Sequence, residues 1–552
     1  MNARRLDWHA LLPRRRGQPP EHWLLLGAGP ELPRLVVELG LAGSATNACD
    51  DDAECAEVVA LLSGAREGLE RAIRALAPGG CLYWEVDRTS RATVALTPGR
   101  ARRRLRAVGL TPLAIYWVGP GWSRASRYLP IGPPEPLAWY LRTMNASTSA
   151  AAAVLRRMLL VVVRFPAITG WLVPRFAVIA VSERAASERA ASDPVPAAPS
   201  PAALADPDIP PRVRSSPVPP ILVSGGEEAW SRITLLAFEP GATAPANIVK
   251  IVRRAEFDEA TRHEHDVLLD LRSRVDEATR ATVPEPIALL AVGRRVAIVQ
   301  DAARGSSALA RMNHWPHRGR RRRRDFELTT EWLISLHAQT TRSRVTPGSP
   351  DWKTHVERPL DRFGEHFGPR SAVVRLFERV RHHTTDLGAE LPIVLRHMDL
   401  GPWNVLIEGD RVHVIDWEVA RDGPAMTDLV YAAFHWSLAA PGRATEPNGR
   451  RHLRWLFAET PADDPDWSSI HAALRRYGRA LRVDPRLVPS LVVLTFVDQA
   501  LDRFDRLQRM GTPDHDPWTQ NRYVGYVEEI AAFDDGWLTA SELARAGHEG
   551  SR

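Results

Sequence analysis

Two rhythms of apolar positions divide this chain. Near its start the apolar run at residues 23–26 leads into Gly27-Ala28-Gly29-Pro30, and helical spacing follows through Leu41. Residues 56–62 read as a strand. A helical stretch at 68–76 passes through a Pro78-Gly79-Gly80 turn into a strand at 81–86, and 176–181 reads as a final strand. Alternating strand and helix predicts an α/β layered domain over residues 1–182. Residues 183–218 lose this periodicity and are rich in Ala, Ser and Pro, the composition of an extended linker.

From residue 219 the pattern changes. Strands are predicted at 221–223, 233–238 and 248–252, a helix at 257–272, and two more strands at 287–291 and 296–300. From about residue 325 the spacing becomes mainly helical, interrupted by a strand–loop–strand stretch at 393–417. A small sheet followed by a larger helical lobe is the expected layout of a second domain over 219–552. The most membrane-like segment, 158–181, contains Arg164, Pro166, Pro174 and Arg175. Two arginines and two prolines argue against a span, so a buried helix followed by a strand is expected there.

Composition narrows the picture. Hydrophobic residues make up 44% and charged residues 25% of the 552, as in an ordinary globular protein. Cys49, Cys55 and Cys81 form no metal or disulfide pattern, which fits a reducing cytoplasm. The first residues lack the apolar stretch of a signal peptide. Basic and acidic residues nearly balance at 72 and 66, so the net charge of +6 is a weak argument for nucleic acid. The dense basic run Arg320 to Arg324 reads as a solvated face, or else as a site for an anionic partner. Only Lys250 and Lys353 are lysine. A lysine kept in so arginine-rich a chain marks a place where a planar fork does not fit.

The densest chemistry lies in Leu395-Arg396-His397-Met398-Asp399-Leu400-Gly401-Pro402-Trp403-Asn404-Val405, followed by Val414-Ile415-Asp416-Trp417-Glu418. Short apolar strands flank the polar loop and bring Asp399, Asn404 and Asp416 together at their ends. A carboxylate that accepts a hydroxyl proton, with hard oxygen ligands for magnesium, is what phosphoryl transfer requires.

These motifs resemble the catalytic and metal loops of the aminoglycoside phosphotransferase and choline kinase family, which shares the protein-kinase fold. The resemblance spans roughly residues 219–540. It implies an α+β two-lobed domain that transfers the γ-phosphoryl group of ATP to a small-molecule hydroxyl. Asp399 would be the base, Asn404 and Asp416 the Mg2+ ligands, His397 a support of the loop, and Asp428 its buttress. Lys250 resembles the strand lysine that touches the α- and β-phosphates, with Glu264 as its helix partner. Ser224-Gly225-Gly226 would arch over the phosphates, and Val299-Gln300-Asp301-Ala302 stands where the adenine-holding hinge is expected. Gly401 replaces the lysine of protein-directed kinases and no A-P-E segment follows, so a small acceptor is favoured. Residues 313–317, Trp436, Asp498 and Arg503 are acceptor-side candidates.

In the first domain, residues 24–30 and 76–82 resemble motifs of class I S-adenosylmethionine-dependent methyltransferases, which implies a Rossmann-like fold. Glu31 occupies the third-glycine position, and Asp50 to Asp52 do not end a clear strand. This degenerate pattern argues against bound S-adenosylmethionine and for a structural or docking role. Two other readings remain open: a pseudokinase scaffold and a bifunctional methyltransferase–kinase.

Overall fold

The computed structural model describes residues 3–13, 20–47, 56–62, 68–90, 93–144, 149–182, 217–228, 230–313, 318–368, 370–439, 449, 452–454, 456, 464–509 and 521–532. Most of the expected linker, with Asp50 to Asp52 and His314 to His317, lies outside these. The chain forms two compact units, one of Met1–Arg142, Val154–His265 and Pro286–Ala302, the other of Thr143–Ala153, Asp266–Glu285 and Ala303–Arg552.

The first unit is built on one twelve-stranded sheet. Its strands are β1 (His22–Leu26), β2 (Ser44–Thr46), β3 (Ala56–Leu61), β4 (Leu76–Asp87), β5 (Leu110–Gly119), β6 (Arg127–Pro130), β7 (Arg175–Ser182), β8 (Ile221–Ser224), β9 (Arg232–Ala237), β10 (Asn247–Val252), β11 (Pro286–Val292) and β12 (Arg295–Asp301). They run in the order β11-β12-β10-β9-β8-β6-β5-β7-β4-β3-β1-β2. The ladder β2-β1-β3-β4 is parallel, and every later pairing is antiparallel. The expected break near 183–218 therefore does not divide the sheet. Arg127 and Tyr128 of β6 pair with Val223 and Leu222 of β8 and join both blocks in one hydrogen-bonded surface. The turn expected at 78–80 is absorbed into β4, where a register shift opposite Ala56 and Val58 accommodates it.

One sheet face encloses a 3₁₀ segment, Ala3–Leu11. Its Leu6, Trp8 and Leu11 are buried among residues from strands of both blocks, including Leu25, Tyr83, Leu235, Val249 and Val299. Trp8 stacks on Tyr83 at 3.9 Å and on Trp23 at 5.4 Å between ring centroids. Burying these three large side chains contributes roughly 1.5–3 kcal/mol each. Polar ties fix the segment's orientation: Arg5 holds the buried Glu85, and Arg295 meets His9 Nε2 at 2.9 Å.

Helix α1 (Glu31–Glu38) packs with the enclosed segment, while the other face carries α2 (Leu69–Arg74), α3 (Pro98–Ala107), α4 (Pro134–Thr143), α5 (Ala150–Val162) and α6 (Pro166–Leu172) at different points along the sheet's length. The helix expected to be buried at 158 onward is not: no residue of α5 is buried. Only the partly covered Leu159 and Leu160 rest on the cluster of Leu137, Tyr140 and Phe238. The strand expected after it is β7, which is largely buried.

Helix α7 (Asp258–Arg274) follows β10, and the Asp258 carboxylate accepts from the Val296 N–H at 2.9 Å to seat its start. The second unit is mainly helical, with α8 (Arg318–Thr340), α9 (Arg358–Phe367), α10 (Ser371–Leu387), α11 (Thr427–Leu438), α12 (Pro465–Leu481), α13 (Val488–Arg509) and α14 (Arg522–Ala531). Two small sheets serve the catalytic loop. One orders β13 (Ser306–Ser307), β16 (Val405–Glu408) and β17 (Arg411–Val414). The other orders β14 (Ser343–Val345), β15 (Leu391–Arg396) and β18 (Arg421–Pro424).

Candidate active site

The loop between β15 and β16 is shaped by one buried carboxylate. Asp428, in the first turn of α11, accepts from the backbone N–H of His397 at 2.6 Å and of Met398 at 2.9 Å. Hydrogen bonds to a charged acceptor contribute about 1.5–3 kcal/mol each. They hold Met398 at φ 69°, an unfavourable region for a side chain that bears Cβ, while Gln499 donates to its carbonyl. Burial alone would raise the Asp428 pKa, but the His337 and His397 side chains and the backbone donor together hold it below the ordinary carboxylate range.

The next residue, Asp399, is half-buried. Its N–H donates to His397 Nδ1 at 3.2 Å, which leaves His397 Nε2 to donate to the Ile415 carbonyl at 2.9 Å. His397 thus links the two loops and packs edge-on against Trp417. The Asp399 carboxylate accepts from Tyr431 at 2.7 Å on Oδ1, and from Asn404 Nδ2 at 2.9 Å and Trp403 Nε1 at 3.3 Å on Oδ2. Burial is the main influence that pushes the Asp399 pKa up. Tyr431 and His397 oppose it, and Asp416 adds to it.

Asn404 is buried, and its Nδ2 also donates to the Asp399 carbonyl at 2.9 Å. Both amide protons are engaged, so Oδ1 remains as the acceptor face. Asp416 follows β17 at φ 73°, and the Ile415 N–H donates to the Asn404 carbonyl at 3.0 Å, tying the two loops together. Burial would lower the Arg506 pKa, yet Asp502, Glu418, Asp399 and Asp416 together raise it and keep the guanidinium charged beside the loop. An Asn oxygen and a carboxylate are hard donors suited to magnesium, which completes its shell with water and phosphate oxygens. Among the described residues no group of three His, Cys, Asp or Glu could hold a metal.

The candidate nucleotide residues lie in the first unit. Lys250, buried on β10, donates to Glu264 Oε1 at 2.7 Å. Glu264 is fully buried and also binds Arg232, a partner that local spacing does not reveal. Gly225 and Gly226 do lie between β8 and β9, but they form no open cradle. The Gly225 N–H donates to the Arg232 carbonyl at 2.9 Å, and a Cβ on Gly226 would collide with the Glu228 carboxylate. Arg253, 1% exposed, pins this turn by donating to the carbonyls of Gly226 at 2.7 Å and Glu228 at 2.8 Å. Asp7, from the 3₁₀ segment, anchors Arg253 in turn at 2.8 Å.

At the expected hinge, Gln300 is fully buried within the sheet, opposite Ile248, and neither of its amide atoms has a partner among the described residues. Asp301 pairs with Asn247, and the Ala302 N–H donates to the Ala246 carbonyl at 3.0 Å.

Several acceptor-side candidates carry structural duties instead. Asp498 accepts from Arg396 at 2.6 Å, Trp436 Nε1 donates to the Arg322 carbonyl at 3.3 Å, and Asn313 donates to the Leu309 carbonyl at 2.9 Å. The basic run lies on α8, where Arg322 and Arg323 pair with Asp466 and Arg324 pairs with Asp410. Gly401 has a local reason: the Trp403 indole fills the space a Cβ would need. Sequence reasoning missed Tyr431, although its position three residues after Asp428 puts both on one helix face toward the loop.

Residues 238–489 match the model of the phosphotransferase enzyme family. The C-terminal region therefore carries a domain similar to that family. Among solved structures, a choline/ethanolamine kinase family protein from Mesorhizobium loti is 14% identical with a TM-score of 0.38, covering 62% of this chain and 97% of its own. An amicoumacin kinase bound to AMP-PNP, Ca2+ and Ami is 13% identical with a TM-score of 0.37, covering 59% and 91%. A microcompartment-associated aminopropanol kinase is 16% identical with a TM-score of 0.35, covering 58% and 94%. No curated protein matches the chain.

Proposed function

We propose that the chain transfers the γ-phosphoryl group of ATP to a hydroxyl of a small molecule such as a sugar, an amino alcohol or a glycan precursor. Asp399 accepts the hydroxyl proton on its carboxylate. Tyr431, Trp403 and Asn404 hold that carboxylate in a single orientation, so it meets the hydroxyl without a search over rotamers. Asn404 Oδ1 and Asp416 are the residues that would hold Mg2+, which when bound offsets the charge of the phosphates. Lys250, oriented by Glu264, would bind the nucleotide's phosphates, and the 299–302 stretch its base.

The observation that carries this reading is the use of both Asn404 amide protons on Asp399, which leaves one hard oxygen beside the base. For the N-terminal strands we infer a Rossmann-like ladder retained as a support. The turn after β1, where Gly27 has φ 81°, is closed by Asn47 donating to the Ala28 carbonyl at 3.1 Å, and the enclosed 3₁₀ segment serves the neighbouring lobe. A buried, unpaired Cys81 thiol suits a cytoplasmic setting.

The test is a screen of hydroxylated metabolites with ATP, run on the native protein beside Asp399→Asn. Loss of the general base should lower turnover by about 10²–10⁴-fold while ATP still binds. Undiminished turnover in the variant would remove Asp399 from its role. ATP binding with no turnover on any acceptor would favour a pseudokinase scaffold.

A further inference from the structure

Fifteen large apolar residues stand exposed among those described, and eight of them fall between Val154 and Leu172. Single exposed apolar side chains are normal, whereas a concentrated patch marks an interaction surface. On α5, Leu155, Met158 and Val161 point away from the side that rests on the core, and Met158 is 60% exposed. The chain continues through Phe165 into α6, where Ile168 and Trp171 share one face and Trp171 is 65% exposed.

Charge selects the occupant. From Pro136 to Ser182 the sequence contains no Asp or Glu, while it contains Arg142, Arg156, Arg157 and Arg164, besides Arg175, which pairs with Asp87 at 3.0 Å. Arg157 and Arg164 are exposed beside the apolar face. An isologous dimer through this face would set the same basic patch against itself. An anionic lipid surface complements both features, because apolar side chains enter the acyl boundary while arginines meet the headgroups. Spanning is a different matter. A thirteen-residue α5 is about 20 Å long against a hydrocarbon core of about 30 Å, and no described helix is long and apolar enough to cross a membrane.

We propose that the α5–α6 face docks the enzyme, lying in plane, on a membrane surface rich in anionic lipid. This stands apart from the assignment of the catalytic residues and does not depend on it.

The test uses the full chain with vesicles of phosphatidylcholine alone and of phosphatidylcholine mixed with phosphatidylglycerol, by co-sedimentation at low and high salt. Native protein should partition to the anionic vesicles and be released by salt. Phe165→Ser with Trp171→Ser should lose at least about tenfold in partitioning. Arg157→Ala with Arg164→Ala should lose about fivefold for each arginine removed. All four positions are exposed, so melting temperatures should match the native protein, and the second pair gives an independent reading if the first disturbs folding. Failure to bind anionic vesicles, or native-level binding by both variants, overturns the proposal. So does a dimer, seen by light scattering, that the Phe165→Ser and Trp171→Ser protein no longer forms, since that result assigns the face to a second copy of the chain.

Discussion

Replacing Asp7 with Asn probes the tie between the N-terminal segment and the kinase strands. Asp7 and Arg253 are 246 residues apart, both buried, and joined at 2.8–3.2 Å, with Ser224 Oγ donating to Asp7 at 2.5 Å. Neutralising the acid leaves a guanidinium in the core with its main counter-charge gone, a change that costs about 3–5 kcal/mol. Burial already raises the Asp7 pKa against the pull of Arg253 and Ser224, so the lower end, about 3 kcal/mol, is the better figure. At roughly 2–4 °C per kcal/mol for a unit of this size, melting should fall by about 6–12 °C. Because Arg253 also pins Gly226 and Glu228 beside the strand that carries Arg232, the KM for ATP should rise as well. The paired change Asp7→Leu with Arg253→Met removes both charges and should recover most of the lost stability. Thermal melts and nucleotide titrations on the three proteins check this. A shift under about 2 °C with unchanged KM, or a double variant no more stable than Asp7→Asn, would refute the reasoning.

Tyr431→Phe removes a donor that favours the ionised form of Asp399, whose pKa burial already raises. Its loss raises that pKa further, so the acidic limb of kcat/KM should move to higher pH. A pH profile with an unmoved limb would contradict this. Glu264→Gln removes the carboxylate that the buried Lys250 and Arg232 share, and should lower stability and raise the KM for ATP. Adding Arg232→Met should return most of the stability, as followed by thermal melts.

Local pattern carried much of the second block. The strands at 221–300 lie within one or two residues of where alternation puts them, because each is short, β-branched and flanked by turns. The Asp399 loop stood out for a similar reason: Asp399 and Asn404 fall in one short loop between two apolar strands. What spacing could not deliver were partners brought in by tertiary structure. Asp7 meets Arg253, and Arg232 meets Glu264, across separations that leave no periodic trace. Helix α5 misled in the opposite sense. Its apolar content suggests a core position, but composition does not say whether the surface it faces is protein. The glycines at 225 and 226, expected to meet phosphates, sit in a turn that a hairpin ladder and Arg253, just past β10, hold in place.

The pairing of β6 with β8 bears on how this chain is inherited. A fragment cut anywhere in residues 183–218 would strip Leu222 and Val223 of their neighbours on one flank and open Val249 and Val299 to water where Trp8 and Leu11 had shielded them. Recombination that swapped the leading third for an unrelated partner would meet the same penalty.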